Sequence, residues 1–170
     1  FRFKSPTFVF EIDEFMNDPR PFWWIFSRLW PKTEWPHPTD FHYLMALLAE
    51  EGIVSHVFTQ NVDNLEEVAG IDQNLISCAH GTLNPCKCLK CGHKFPLSEA
   101  LRQMTVNFPP KEDYEDVIPP VCPNCGDNHV KPEVVFFGEN LPSETFTSAH
   151  EYIPKASLAI ISGTSLNVEP

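Results

Sequence analysis

Apolar residues in the first part of the chain recur at helical spacing. Phe22, Ile25, Phe26 and Leu29 fall on one side of a helix, and Pro31, which cannot continue the ladder, ends it. Thr39 or Asp40 caps a second helix whose stripe is Phe41, Leu44, Met45 and Leu48, and Gly52 supplies its stop. Residues 53–58 then read as a short buried strand, followed by a polar turn over 59–63 and a brief helix ending near Gly70. Residues 75–79 form a second strand that runs directly into His80-Gly81. Two further apolar, β-rich runs, 134–137 and 158–162, flank a helical stretch at 143–150.

Strands alternating with helices argue for an α/β fold, a parallel sheet with helices on both faces. In such sheets ligands gather at the carboxyl ends of the strands. The turns at 59–63, 80–81 and 163–165 all fall at such ends, which joins three loops distant in sequence into one candidate site. The pattern breaks between residues 82 and 130, where both Cys-x-x-Cys pairs and a Pro-rich, acidic middle lie. This stretch reads as a small module inserted into a larger domain made of residues 1–81 and 131–170.

Composition narrows the function classes. With 23 acidic against 12 basic residues the net charge is −11, which opposes broad nucleic-acid binding, since phosphate contacts need a basic face. The same charge would welcome a lysine-rich peptide. No apolar run approaches the roughly 18–20 residues that span a bilayer. Paired cysteines without a disulfide framework indicate a reducing compartment, cytoplasm or nucleus. The opening on Phe1 and the stop at Pro170, just after an apolar run, give the expectation of an excerpt from a longer protein.

Cys88/Cys91 and Cys122/Cys125 have the spacing of one structural Zn2+ site, each pair next to a glycine (Gly92, Gly126) that permits a tight knuckle. Free thiols or two disulfides are the alternatives. Four protein ligands leave no place for water or substrate, so the metal holds a fold and the chemistry lies elsewhere. Cys86 is left as a spare thiol and Cys78 as a packed core residue. His93 and His129 are second-choice ligands, and His56, like the remaining histidines, is structural or solvated. His80 projects from a strand end, where an imidazole is either a general base or a hydrogen-bonding surface residue. Gln60, Asn61 and Asp63 can hydrogen-bond an amide or ribose, or form an Asx turn with Asp63 as a helix cap. Gly163, Thr164 and Ser165 can cradle a phosphate or ribose, or make a plain tight turn. Val135, Phe136 and Phe137, followed by Gly138 and Glu139, form a core strand and turn, or an edge that pairs with an extended peptide.

Taken together, TQNVD, AHG, the two Cys-x-x-Cys pairs, KPEVVFFGE and GTSLNVEP resemble, in order and spacing, the sirtuin family of NAD-dependent protein deacylases, closest to its eukaryotic cytosolic and nuclear members. The resemblance runs from Phe1 to Pro170. It implies a Rossmann-like domain with a zinc ribbon, and a cleft for NAD and an acyl-lysine peptide, on proteins such as histones. By the same resemblance His80 is the general base on the nicotinamide ribose, with Asn61 beside it in the catalytic set. Gln60, Asn61 and Asp63 line the nicotinamide and ribose pocket, while Gly163, Thr164 and Ser165 hold the cofactor. Phe1 and Arg2 belong to the loop covering nicotinamide, and Val135 to Glu139 take the substrate. NAD is consumed, giving nicotinamide, free lysine and O-acyl-ADP-ribose. The family's Gly-rich pyrophosphate segment is missing, and FRFKSPTF reaches VFEIDEF early, so weak NAD binding by this chain is expected. A silent module that binds acyl-peptide or protein, and a mono-ADP-ribosyltransferase, are the competing expectations.

Overall fold

The computed structural model describes residues 4–5, 7–29, 36–105 and 113–168. In chain order the elements are α1 (Ile12–Asn17), α2 (Arg20–Leu29), α3 (Asp40–Glu50), β1 (Val57–Thr59), α4 (Leu65–Val68), β2 (Ile76–Cys78), β3 (Cys86–Cys88), β4 (Lys94–Phe95), α5 (Leu97–Thr105), β5 (Val130–Pro132) and α6 (Ser143–Tyr152). They divide into two compact units, residues 1–35 with 82–140, and residues 36–81 with 141–170. Packing thus draws the boundary differently from composition, which had isolated residues 82–130. The reason is the aromatic N-terminal stretch, whose side chains fill the core of the cysteine-bearing stretch.

That core holds Phe15, Phe22, Trp23 and Phe26 against Cys86, Cys88, Phe95, Leu97, Ala100, Met104, Cys122, Val130 and Phe136. Of the stripe predicted for α2, Phe22 and Phe26 enter it; Ile25 is half-buried, Leu29 is 73% exposed, and Trp23, outside the stripe, is buried instead. Rings meet edge to face, Phe15 on Phe22 at 5.6 Å and Phe15 on Phe136 at 5.5 Å, the arrangement their quadrupoles favour. Trp23 is fully buried and its indole N–H donates to the Val130 carbonyl at 3.0 Å, so its polar atom is satisfied. The sheet of this unit is antiparallel, in the order β4-β3-β5, with Cys86 opposite Phe95 and Cys88 opposite Val130. Strand alternation sends Cys86 and Cys88 inward and leaves Lys87 half-buried. Burial pushes the Cys86 thiol up to about 12, as suits a core side chain rather than a thiolate.

The other unit is built on a parallel pair, β1 and β2, with Val57 opposite Ile76 and Thr59 opposite Cys78. α3 begins where the sequence places it: the Thr39 N–H donates to His42 Nδ1 at 3.1 Å, and Gly52, at φ +70°, turns the chain after Glu50. Its stripe, however, is not buried; Phe41 and Leu44 are 45% and 50% exposed. The strands are shorter than predicted, 57–59 instead of 53–58 and 76–78 instead of 75–79. Among the described residues, 134–137 form no ladder beyond one parallel bridge between Phe137 and Glu11. Residues 158–162 are not a strand at all: Leu158, Ile160 and Ile161 stay exposed, and among the described residues no strand lies in register with them. A β-rich run becomes a strand only when a neighbour accepts its backbone groups.

Candidate functional site

The metal site is local in origin. Cys88 ends β3, and Gly92, at φ +73°, lets the chain fold back so that its N–H reaches the Cys88 carbonyl at 2.9 Å. The second knuckle repeats the design: Gly126, at φ +72°, donates to the Cys122 carbonyl at 2.9 Å. Cys88 Sγ lies 3.6 Å from Cys125 Sγ, Cys91 Sγ lies 3.6 Å from Cys122 Sγ, and all four sulfurs fall within 4.8 Å of one another. Four thiolates about 2.3 Å from a central zinc would stand roughly 3.8 Å apart, so the residues present fit a tetrahedral site. The backbone N–H of His93 and the Asn124 carboxamide point at Cys91 and draw its thiol down to about 6. Cys86 is outside the group. His129 is not a ligand either, since its ring is bonded to Asp127 and the Met16 carbonyl.

The polar cluster forms where β1 and β2 end side by side. The Ala79 N–H donates to the Thr59 carbonyl at 2.9 Å, which brings Gln60 and His80 together across the pair. His80 Nδ1 is 3.1 Å from the Gln60 carbonyl. A carbonyl only accepts, so Nδ1 carries the proton and the neutral ring keeps its lone pair on Nε2. The Gln60 side chain reaches the 163–168 loop: its amide donates to the Val168 carbonyl at 3.0 Å, and the Thr164 hydroxyl donates to its Oε1 at 3.1 Å. Gly163 sits at φ +71° with nothing within 4 Å of where a Cβ would stand, leaving its backbone open to a ligand. Gln60, His80, Gly163 and Thr164 are thus brought to one place. Asn61 and Ser165 are exposed beside them, the Asn61 N–H held by the Thr59 hydroxyl at 3.1 Å. Asp63 accepts from the Leu65 N–H at 3.2 Å, the Asx turn that opens α4. Phe1 and Arg2 lie outside the described residues.

In the first unit, Val135 and Phe136 have no regular structure, Phe137 makes a single bridge, and Gly138 and Glu139 turn the chain. Phe136 is buried, Phe137 is exposed, and the Phe137 N–H donates to the Phe10 carbonyl at 2.8 Å while its own carbonyl accepts from Ile12 at 3.0 Å. Gly138 stands at φ +91°, which strains any other residue, and a Cβ there would press on Ile12 Cγ2 at 3.0 Å. Among the described residues the Val135 N–H and C=O have no hydrogen-bond partner.

Two residues escaped the sequence reading of candidate sites. Lys131 is 4% exposed and ion-paired to Glu139 at 2.9 Å; a lone lysine in an apolar run gives no sign that it will be buried. His56, read as structural or solvated, stacks on Tyr152 at 4.3 Å, with Nε2 2.8 Å from the Ser77 hydroxyl. Its Nδ1 is buried without a partner among the described residues. Burial holds its pKa below the usual 6.5, against the pull of the Glu151 carboxylate. The unfolded chain therefore takes up the proton before the folded one. The stability this contributes is complete above about pH 6.5 and is lost as pH falls through the lower folded value. The unfolding midpoint should fall more steeply from about pH 7.5 to about pH 5.5 in the wild type than in His56→Phe. Parallel slopes would exclude His56 as the source.

The family described as "Sir2 family" matches residues 2–170. The chain is 38% identical over 162 residues to the NAD-dependent protein deacetylase HST2 of Candida albicans, covering 95% of this chain and 45% of that protein. It is 36% identical over 167 residues to the NAD-dependent protein deacetylase sirtuin-2 of Danio rerio, covering 97% and 41%. Among solved structures, "Sir2 bound to acetylated peptide" superposes with a TM-score of 0.81 at 30% identity, covering 99% of this chain and 65% of that one. The chain therefore spans less than half the length of these curated relatives.

Proposed function

The chain belongs to the Sir2 family, and from that premise we propose that it acts in an NAD-dependent protein-lysine deacylase, a deacetylase first of all. Nicotinamide, free lysine and O-acyl-ADP-ribose would be the products. The observation that carries this reading is the His80–Gln60 contact, because it holds an imidazole in one orientation within the strand-end cluster. His80 is the general base: Nε2 takes the proton of a ribose hydroxyl while Nδ1–H stays anchored to the Gln60 carbonyl, which keeps the ring in one tautomer and one orientation. Gln60, Asn61 and Asp63 line the nicotinamide and ribose pocket. Gly163, Thr164 and Ser165 hold the rest of the cofactor through backbone and hydroxyl groups, and Phe1 and Arg2 cover it. Bound NAD would supply the electrophilic ribose carbon and the nicotinamide leaving group.

Val135, Phe136, Phe137, Gly138 and Glu139 take the acyl-lysine peptide. Cys88, Cys91, Cys122 and Cys125 hold one structural zinc. Acetylated proteins with basic tails, histones among them, suit a chain of charge −11. The reduced thiols the zinc needs point to the cytoplasm or nucleus, and no helix among the described residues is long and apolar enough to cross a membrane.

A second reading, a silent module that binds acyl-peptide, is favoured by one contact set: both ends of the Gln60 carboxamide are already engaged by Thr164 and Val168. One assay separates the two. Nicotinamide release from NAD should appear only when an acetyl-lysine peptide is added. A folded, zinc-loaded protein that binds the peptide but releases no nicotinamide would establish the module instead.

A further inference from the structure

Asp127, two residues beyond Cys125, joins more separate parts of the first unit than its place in an exposed turn suggests. Its Oδ1 accepts the His129 N–H at 2.9 Å and stands 2.8 Å from His129 Nδ1, while its Oδ2 is 3.3 Å from Lys90 Nζ. Its carbonyl accepts the Cys122 N–H at 2.8 Å, and its own N–H points at Cys125 Sγ. Lys90 belongs to the other knuckle, between Cys88 and Cys91. His129 extends the chain of contacts: its carbonyl accepts the Leu89 N–H at 2.9 Å, and its Nε2 donates to the Met16 carbonyl at 3.0 Å. Met16 lies in the last turn of α1, where carbonyls have no partner within the helix. One carboxylate thus reaches both knuckles and, through one imidazole, the helix that carries Phe15 into the core.

Charge alone argues against an acid at this position. Four thiolates around one zinc ion leave a net negative charge, which repels a carboxylate nearby. Lys90 offsets part of that repulsion, but its side chain is 65% exposed, and an ion pair so open to water contributes little. The Asp127 side chain is only 16% exposed and is held from several sides, so what it supplies is fixed geometry rather than charge. A second layer of hydrogen bonds around metal ligands keeps them aimed at the ion and slows its loss. We propose that Asp127 and His129 are positioning residues for the zinc site, which lock the Cys122/Cys125 knuckle against the Cys88/Cys91 knuckle and α1 and so set how slowly the metal leaves. This rests on the reading that the four cysteines hold zinc, and adds to it two residues that are not ligands.

The test follows the metal itself. Zinc-loaded full-length protein is mixed with excess pyridylazoresorcinol well below its unfolding midpoint, and the rate of zinc release is read by absorbance. Asp127→Ala removes the side-chain contacts, and His129→Phe keeps a ring without its polar atoms. Each should speed release about 10–100-fold, the scale of losing an outer partner of a metal ligand. The double variant should release hardly faster than either alone, as members of one network do. Asp127→Asn, which still accepts the His129 N–H, should fall between wild type and alanine, and it carries the test if the alanine variant does not fold. Cobalt-loaded variants should keep the absorption bands of a tetrahedral four-sulfur site, since no ligand has changed. Lys94→Met breaks a different ion pair of the same sheet, Lys94 to Glu133 at 2.8 Å, and should release zinc within about twofold of the wild type. Variants whose midpoint falls while release stays within about twofold of the wild type would overturn the proposal, as would equal acceleration by Lys94→Met. A wild type that holds one zinc per chain but releases it no more slowly than the variants removes the outer-layer role alone. A wild type that holds none removes the metal reading with it.

Discussion

His80→Ala should lower formation of free lysine by about 10²–10⁴-fold, the range for removal of a positioned general base. The substitution takes away both of the ring's functions, the Nε2 lone pair and the Nδ1–H anchored 3.1 Å from the Gln60 carbonyl. His80→Asn separates them. Its amide N–H can occupy the place of Nδ1 and keep the tie between the two strand ends, but it offers no base. Its activity should fall as far as that of the alanine variant while its unfolding midpoint stays near that of the wild type. A base that acts on a ribose hydroxyl is not needed for nicotinamide to leave, so a single turnover should still release nicotinamide in both variants. An alanine variant within about tenfold of the wild type would remove His80 from the chemistry.

Stripping the zinc should unfold the unit made of residues 1–35 and 82–140. Structural zinc sites bind with an apparent 10–16 kcal/mol near neutral pH, about as much as the whole stability of a typical domain, roughly 5–15 kcal/mol. Cys88 and Cys122 belong to the same core as Trp23, Phe15 and Phe136, so losing the metal leaves buried thiols crowded in the centre of that core. Chelation should release one zinc per chain and shift tryptophan emission to the red as Trp23 meets water. Cys122→Ser should do the same without chelator. Unchanged emission and an unchanged unfolding midpoint in metal-free protein would show that the aromatic core stands without the site.

The parts of this structure that could be read from sequence are those fixed by near neighbours. The zinc site is the clearest case, because two Cys-x-x-Cys-Gly knuckles carry most of their own geometry. The bounds of α3 followed from its cap and its glycine stop; for α2 the stripe announced a helix but not where it starts, and Pro31, its expected stop, lies outside the described residues. Side-by-side strand ends account for the meeting of Gln60 and His80, but 158–162 is not the strand expected to deliver Thr164, and Gln60 and Val168, 108 residues apart, make a contact that no local pattern announces. Strand extents were not legible, since a strand is defined by its partner: 158–162 has the composition of one, and among the described residues none lies beside it. Lys131 and His56 were missed for the same kind of reason. A charged or titratable side chain shows its burial only after distant segments have closed over it, here Glu139 and Phe136 for the lysine, Ser77 and Tyr152 for the histidine.

The pairing of β1 with β2 also fixes where the chain can change length. Thr59 faces Cys78, so Gln60 stands one residue and His80 two residues beyond the last paired position. An extra residue at 79 would turn the imidazole to the opposite face and carry it away from the Gln60 carbonyl. An insertion in the exposed stretch between α4 and β2, at Gln73 or Asn74, would lengthen a surface connection and leave both counts intact. Across related chains, gaps should therefore collect between these strands and be rare in the few residues that follow each of them.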